Sequence, residues 1–126
     1  VSIEDYVNLK IKEMVNDAHR NAIDHGFWEE EQNIITKMCV KEFEDEEIKA
    51  VKRAFMCQRL MLIVSEVSEA VNALRKDDKE NYGEELADII LRTSDTSLGD
   101  TVDIEKEIKK KMKKNRSRPY KHGKVF

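Results

Sequence analysis

An all-α fold is what the sequence predicts, and three observations carry it. One Pro and four Gly in 126 residues are too few to punctuate an all-β chain, which needs a turn signal roughly every 8 to 12 residues. Charged residues make up 39% and hydrophobic residues 40%, against roughly 25% charge in an average domain; that mixture suits charged helices with one apolar stripe each. Finally, Met56, Leu60, Ile63, Val67, Ala70 and Leu74 advance by alternating steps of four and three, with no Gly or Pro between Asp45 and Lys76. Such a seam belongs to a long helix packed in a bundle or a dimer. The length fits one domain, 1–126.

The elements follow in order. Residues 3–25 read as a first helix through Ile3, Tyr6, Val7, Leu9, Ile11, Met14, Val15, Ala18 and Ala22, with Ser2, Glu4 and Asp5 suited to its amino-terminal cap. Gly26 ends it, and Phe27 and Trp28 sit in a loop. Residues 29–42 can line a short helix through Ile34, Ile35, Met38, Cys39 and Val40, but nothing marks its ends. The long seam helix spans about 45–76. Arg75 to Gly83 reads as a connection, followed by a helix over about 84–97 with Leu86, Ile89, Ile90 and Thr93 inward. Gly99 stops it, Asp100 or Thr101 caps the next, and 102–114 form a Lys-rich helix that Pro119 keeps from extending far.

Charge is divided unevenly. Residues 1–108 hold 14 Lys and Arg against 26 Asp and Glu, whereas 109–126 hold nine Lys and Arg and no acid. An acidic body thus ends in a basic tail, which either stays solvated, touches nucleic acid, or folds back onto an anion held by the acidic part. Two cysteines, Cys39 and Cys57, form neither a disulfide framework nor a zinc set and are expected as small core residues. The absence of a membrane-length apolar run and of a secretory pattern points to a soluble, cytoplasmic protein without membrane contact. There is no phosphate-binding Gly-rich loop with Lys, and no Gly-x-Ser-x-Gly nucleophile, so water is the expected nucleophile of any hydrolysis.

Candidate chemistry lies in carboxylates. Glu66 and Glu69 each precede a seam residue by one, so both flank the buried line by about 100° and, three apart, converge on one side. Glu85 and Asp88 repeat the device before Leu86 and Ile89. Helices joined by a short connection pack antiparallel, which sets the two pairs face to face. Four facing carboxylates need protons or a cation to relieve their repulsion, and oxygen-only ligands select Mg²⁺ or Mn²⁺ over zinc. The same pattern is also an ordinary solvated helix face.

Leu62-Ile63-Val64-Ser65-Glu66-Val67-Ser68-Glu69-Ala70-Val71 and Glu84-Glu85-Leu86-Ala87-Asp88-Ile89-Ile90 resemble the Glu-x-x-Glu and Glu-x-x-Asp signature of the MazG-like all-α nucleotide pyrophosphohydrolases. The tail from Lys111 through Asn115-Arg116-Ser117-Arg118-Pro119-Tyr120 to Lys124, and the stretch Ala18 to Trp28, are similar to the same family. Residues 29–55 depart from it, being longer than the usual link. The resemblance implies a four-helix-bundle-like core that forms dimers or dimers of dimers. It also implies cleavage of a nucleoside triphosphate to monophosphate and pyrophosphate, with Mg²⁺ (or Mn²⁺) on Glu66, Glu69, Glu85 and Asp88. Lys111, Asn115, Arg118 and Tyr120 of the basic tail (about 115–126) and Trp28 are the substrate contacts it suggests, Trp28 by stacking on the base.

Other residues have plainer readings. Arg92 lies between Asp88 and Asp95 at helical spacing and suits an intrahelical ion pair. His19 and His25 suit surface or capping roles, and His122 a solvated tail. The competing function is a non-catalytic helical oligomer binding nucleic acid through its tail, which predicts steeply salt-dependent binding and no need for Mg²⁺.

Overall fold

The computed structural model describes residues 2–126, with the side chains of residue 2 and of residues 10–126. The helices are α1 (Ile3–Asp24), α2 (Glu29–Val40), α3 (Asp45–Arg75), α4 (Lys79–Gly99) and α5 (Ile104–Arg116), followed by a 3-10 turn at Tyr120–Gly123. The fold is all-α, with no strand among the described residues. α4 is the central element, packed on α3 along one side and on α1 along the other, while α2 lies against α3. Among the described residues no helix is long and apolar enough to cross a membrane.

Helix starts are set by acidic caps. Glu44 and Glu47 form a capping box before α3, Asp78 accepts from the Asn81 amide at the start of α4, and Asp103 accepts from the Lys106 amide at the start of α5. Two expectations are corrected here. The link between α3 and α4 is only residues 76–78, and Gly83 lies within the second turn of α4 rather than in a connection. The cap of α5 is Asp103, not Asp100 or Thr101. Ends are set by left-handed residues: Gly26 after α1, Glu42 after α2, Asp77 after α3 and Thr101 after α4, with φ of 82°, 56°, 53° and 58°. Only the first of these is a glycine, so only that stop carried the residue signal that normally marks a left-handed helix end.

The apolar core of one chain is small. Among the described side chains, Val15, Ala22, Trp28, Ala70 and Ala73 are the buried hydrophobic residues. On α1, Val15 and Ala22 are buried, as their helical spacing leads one to expect, while the side chains of Ile3, Glu4, Asp5, Tyr6, Val7 and Leu9 lie outside the described residues. On α3 the inward line is Phe55, Arg59, Ile63, Glu66, Ala70 and Ala73, all buried or half-buried. The predicted seam is mostly elsewhere: Met56, Leu60, Val67 and Leu74 are 41–60% exposed. Each of these four follows an inward residue by one position and is therefore turned by about 100° from it. Cys39 and Cys57, expected in the core, are both exposed.

The accessible surface is 10,168 Å². A folded monomer of this mass ordinarily exposes about 6,900 Å². Exposed apolar side chains run along α3 and α4, including Leu60, Val64, Val71, Leu86 and Ile90.

Candidate active site

A three-residue link makes α3 and α4 an antiparallel hairpin, so residues equally far from the turn meet. The buried Ala70 and Ala73 let the two backbones approach closely next to the turn. One to two turns further on, Glu66 of α3 faces Glu85 and Asp88 of α4, and each of the three offers a carboxylate oxygen within 4.8 Å of the others. Glu85 and Asp88 are three apart on one helix, which points both at the same partner. Contrary to the expectation from the seam, Glu66 does not flank the inward line of α3 but belongs to it.

This crowding is relieved by a proton and an arginine. Glu85 is 6% exposed, and its pKa is pushed up to about 7, first by its hydrogen bond with Glu66, then by burial and by the charge on Glu69. Glu66 moves the other way: the Arg92 guanidinium holds its carboxyl below the usual range, against the opposing effect of burial. Arg92 Nε donates to Glu66 Oε1 at 2.7 Å. Glu85 Oε2 is buried and finds no donor at all. A buried carboxylate oxygen without a donor, two further oxygens within 4.8 Å and a purely oxygen ligand set are what a hard divalent cation needs.

The triad opens into a cleft of about 470 Å³ formed by α1, α2, α3 and α4, lined by Glu66 and Asp88 together with Phe27, Trp28, Arg59, Arg92 and Asp95. One wall is a polar network. Asp95 Oδ1 accepts from His19 Nδ1 at 2.8 Å and from Trp28 Nε1 at 2.9 Å. The Arg59 guanidinium lies 4.4 Å over the Trp28 ring, and its two ends are bound to Glu31, at 2.5 Å, and to Asp100. The indole is pressed against the backbone of Gly99, where any Cβ would come within 2.1 Å of Trp28 Cη2. Glycine is therefore required at 99 for packing, while the left-handed residue that follows α4 is Thr101.

Of the four predicted carboxylates, the structure gathers Glu66, Glu85 and Asp88. Glu69 is exposed on the next turn of α3, outside the triad but close enough for its charge to raise Glu85. Trp28 is on the cleft wall but 8% exposed, with Arg59 on one face and Gly99 at its edge. That leaves little surface for a base to stack on; the exposed aromatic on the cleft is Phe27. Lys111, Asn115, Arg118 and Tyr120 lie at or near the protein surface, and none of them lines the cleft.

Two ion pairs differ from expectation. Arg92 pairs across the hairpin with Glu66 rather than along α4 with Asp88 or Asp95, and His19 is half-buried on Asp95 rather than a surface or capping residue. His25 does cap, its Nδ1 meeting the Asn21 carbonyl at 2.8 Å. Sequence reasoning missed Arg59. The only available signal was a lone arginine between Phe55 and Ile63 on an otherwise apolar line.

A family model for the MazG nucleotide pyrophosphohydrolase domain matches residues 57–123, a little over half of the chain. This stretch contains Glu66, Glu69, Glu85, Asp88 and Arg92, and it begins beyond the α1 and α2 residues that complete the cleft. No curated protein and no solved structure matches the chain.

Proposed function

Since the chain belongs to the MazG nucleotide pyrophosphohydrolase family, we propose that it hydrolyses a nucleoside triphosphate to the monophosphate and pyrophosphate in the presence of Mg²⁺. The observation that carries this reading is the Glu66, Glu85 and Asp88 triad, three carboxylates of the matched segment with oxygens within 4.8 Å and a buried Glu85 oxygen left without a donor. These three, with Glu69 beside them, would hold the cation, Mn²⁺ serving where Mg²⁺ does. When bound, the cation would polarise the α-phosphoryl oxygen and ease deprotonation of a ligated water.

The chain's own residues supply the rest. Glu85 must give up its proton before it can act as a ligand, since metals take carboxylates in ionised form. Asp88 and Glu66, which line the cleft, would hold the cation there rather than in bulk solvent. As the new bond to the α-phosphorus forms, the bond from that phosphorus to the bridging oxygen breaks, pyrophosphate leaves with the electron pair, and the proton of water passes to a carboxylate. Glu69, exposed beside the triad, would take it while helping to hold the cation. Lys111, Asn115, Arg118 and Tyr120 belong to this reading as contacts formed when the tail closes over bound nucleotide, and Trp28 as a wall of the base site.

The reading includes self-association. A surface of 10,168 Å² against about 6,900 Å² for an ordinary monomer of this mass, together with the exposed apolar stripe of α3 and α4, supports pairing of two copies along that stripe.

A pyrophosphate-release screen over common and oxidised triphosphates tests the activity. The expected result is Mg²⁺-dependent pyrophosphate and monophosphate with at least one substrate, and loss of turnover in Glu69→Gln without loss of helicity. Release of inorganic phosphate instead, or undiminished turnover in that variant, refutes it.

A further inference from the structure

We propose that Arg92 is a phosphate-binding residue that a cation sets free: in the metal-free protein it neutralises Glu66, and when a divalent cation takes Glu66 it turns to the nucleotide's phosphates. This rests on the pyrophosphohydrolase reading above. Arg92 stands four residues after Asp88, one turn further on the same face of α4, and both line the cleft. Its side chain is 38% exposed, so a ligand entering from solvent can reach it. Its sole hydrogen-bond partner among the described residues is Glu66, reached through Nε at 2.7 Å, which leaves both Nη groups without a protein acceptor.

The second guanidinium on the cleft cannot take this role. Arg59 spends one end on Glu31 and the other on Asp100, and its face is laid over Trp28. Acid dominates the remaining charge of the cleft lining, so a triphosphate entering it must find a cation that is not already committed. An arginine fork meets phosphate oxygens two at a time, and Arg92 is one turn from the carboxylate that helps to gather the cation.

The exchange has a consequence that simple proximity lacks. Glu66 Oε1 can hold the guanidinium or help to hold a metal, and losing the guanidinium to the nucleotide removes a competitor from the metal site. Metal and nucleotide must then strengthen each other's binding, and by linkage the two effects are equal.

The test uses the full chain with Mn²⁺ alone, followed by a panel of α,β-methylene triphosphate analogues, with binding read by calorimetry in wild type, Arg92→Gln and Arg92→Lys. Arg92→Gln should bind Mn²⁺ alone at least as tightly as wild type. Its analogue affinity in the presence of Mn²⁺ should fall about tenfold or more, the usual scale for a lost charged hydrogen bond, and the mutual enhancement should shrink to what direct contact between metal and phosphate supplies. Arg92→Lys should restore part of the analogue affinity. Unchanged analogue affinity in Arg92→Gln overturns the assignment while leaving the pyrophosphohydrolase reading intact. Loss of Mn²⁺ binding in that variant also overturns it, because Arg92 would then be a strut for Glu66. A wild-type protein that binds no analogue and cleaves no triphosphate removes both.

Discussion

Replacing Glu85 with Gln separates what the triad costs the fold from what it gives the site. Glu85 titrates at about 7 in the folded protein against an ordinary 4.5. A group whose pKa is raised by folding contributes stability that is whole below pH 4.5 and is lost as pH rises through 7. Above pH 7 the metal-free protein carries the repulsion of Glu66, Glu69 and an ionised Glu85, whereas Gln stays neutral. Metal-free Glu85→Gln should therefore melt above wild type at pH 8, with the difference shrinking toward pH 5. Metal binding runs the opposite way, since the cation has to displace that proton. For wild type the apparent Mn²⁺ affinity should weaken about twofold at pH 7, about tenfold at pH 6 and about a hundredfold at pH 5 relative to its alkaline limit. Calorimetry in two buffers of different ionisation heat should find close to one proton released at pH 6. In Glu85→Gln, Mn²⁺ and Mg²⁺ should no longer raise the melting temperature. A wild-type Mn²⁺ affinity that is flat between pH 6 and 8, or a Glu85→Gln protein that melts below wild type at pH 8, refutes the reasoning.

Three further outcomes follow from the packing. Gly99→Ala puts a Cβ within 2.1 Å of Trp28, and overpacking of this kind costs about 1–3 kcal/mol; because the chain has one Trp, a shifted emission maximum should accompany the lower melting temperature, and unaltered fluorescence would count against the contact. Arg59→Met leaves Glu31 and Asp100 unpaired at 17% and 15% side-chain exposure. Breaking such pairs costs about 3 kcal/mol, so a melting temperature within a degree or so of wild type would contradict the network. Leu60→Asp combined with Val67→Asp places charge on the exposed stripe of α3 and should reduce the mass in light scattering to that of one chain while helicity persists; a wild-type protein that is already monomeric at micromolar concentration would dispose of the pairing.

The sequence was most legible where residue type and position coincide. The long α3 and the stop at Gly26 are visible, because absence of Gly and Pro keeps a helix going and a glycine adopts the left-handed conformation that ends one; α4 does end at Gly99, but the left-handed residue that follows it is Thr101. The end of α2 and the tight link before α4 were not visible. Glu42, Asp77 and Thr101 adopt left-handed φ of 56°, 53° and 58°, at a strain of about 1 kcal/mol or more for residues with a side chain, and no residue rule marks positions where tertiary packing imposes that strain. Arg92 and His19 were misassigned for a related reason. Helical spacing reveals only partners on the same helix, whereas both residues reach a carboxylate on another helix.

The seam on α3 gives the most instructive difference, because of its six residues only Ile63 and Ala70 turn inward within one chain. Two lines run along this helix about 100° apart. The apolar one, Met56, Leu60, Val67 and Leu74, is mostly solvent-facing in one chain. The mixed one, Phe55, Arg59, Ile63, Glu66, Ala70 and Ala73, faces inward. Hydrophobic periodicity finds the first line and only Ile63 and Ala70 of the second, since two of its six residues are charged. Yet the second line is where the candidate chemistry lies: Glu66 meets Glu85, Asp88 and Arg92, and Arg59 fixes the wall with Trp28. An inward line that carries a carboxylate and a guanidinium contributes little apolar burial. With only five buried hydrophobic residues among the described side chains, the apolar stripe is expected to be covered by something else for the hairpin to be stable. The charged site and the predicted self-association are thus one design: polar groups occupy the interior of each chain, and the hydrophobic burial they displace is expected to be made between chains. If so, the Leu60→Asp and Val67→Asp double variant should weaken Mn²⁺ binding as well as pairing, although neither residue belongs to the triad. Retention of full Mn²⁺ affinity by the separated chains would show that the hairpin holds its site alone.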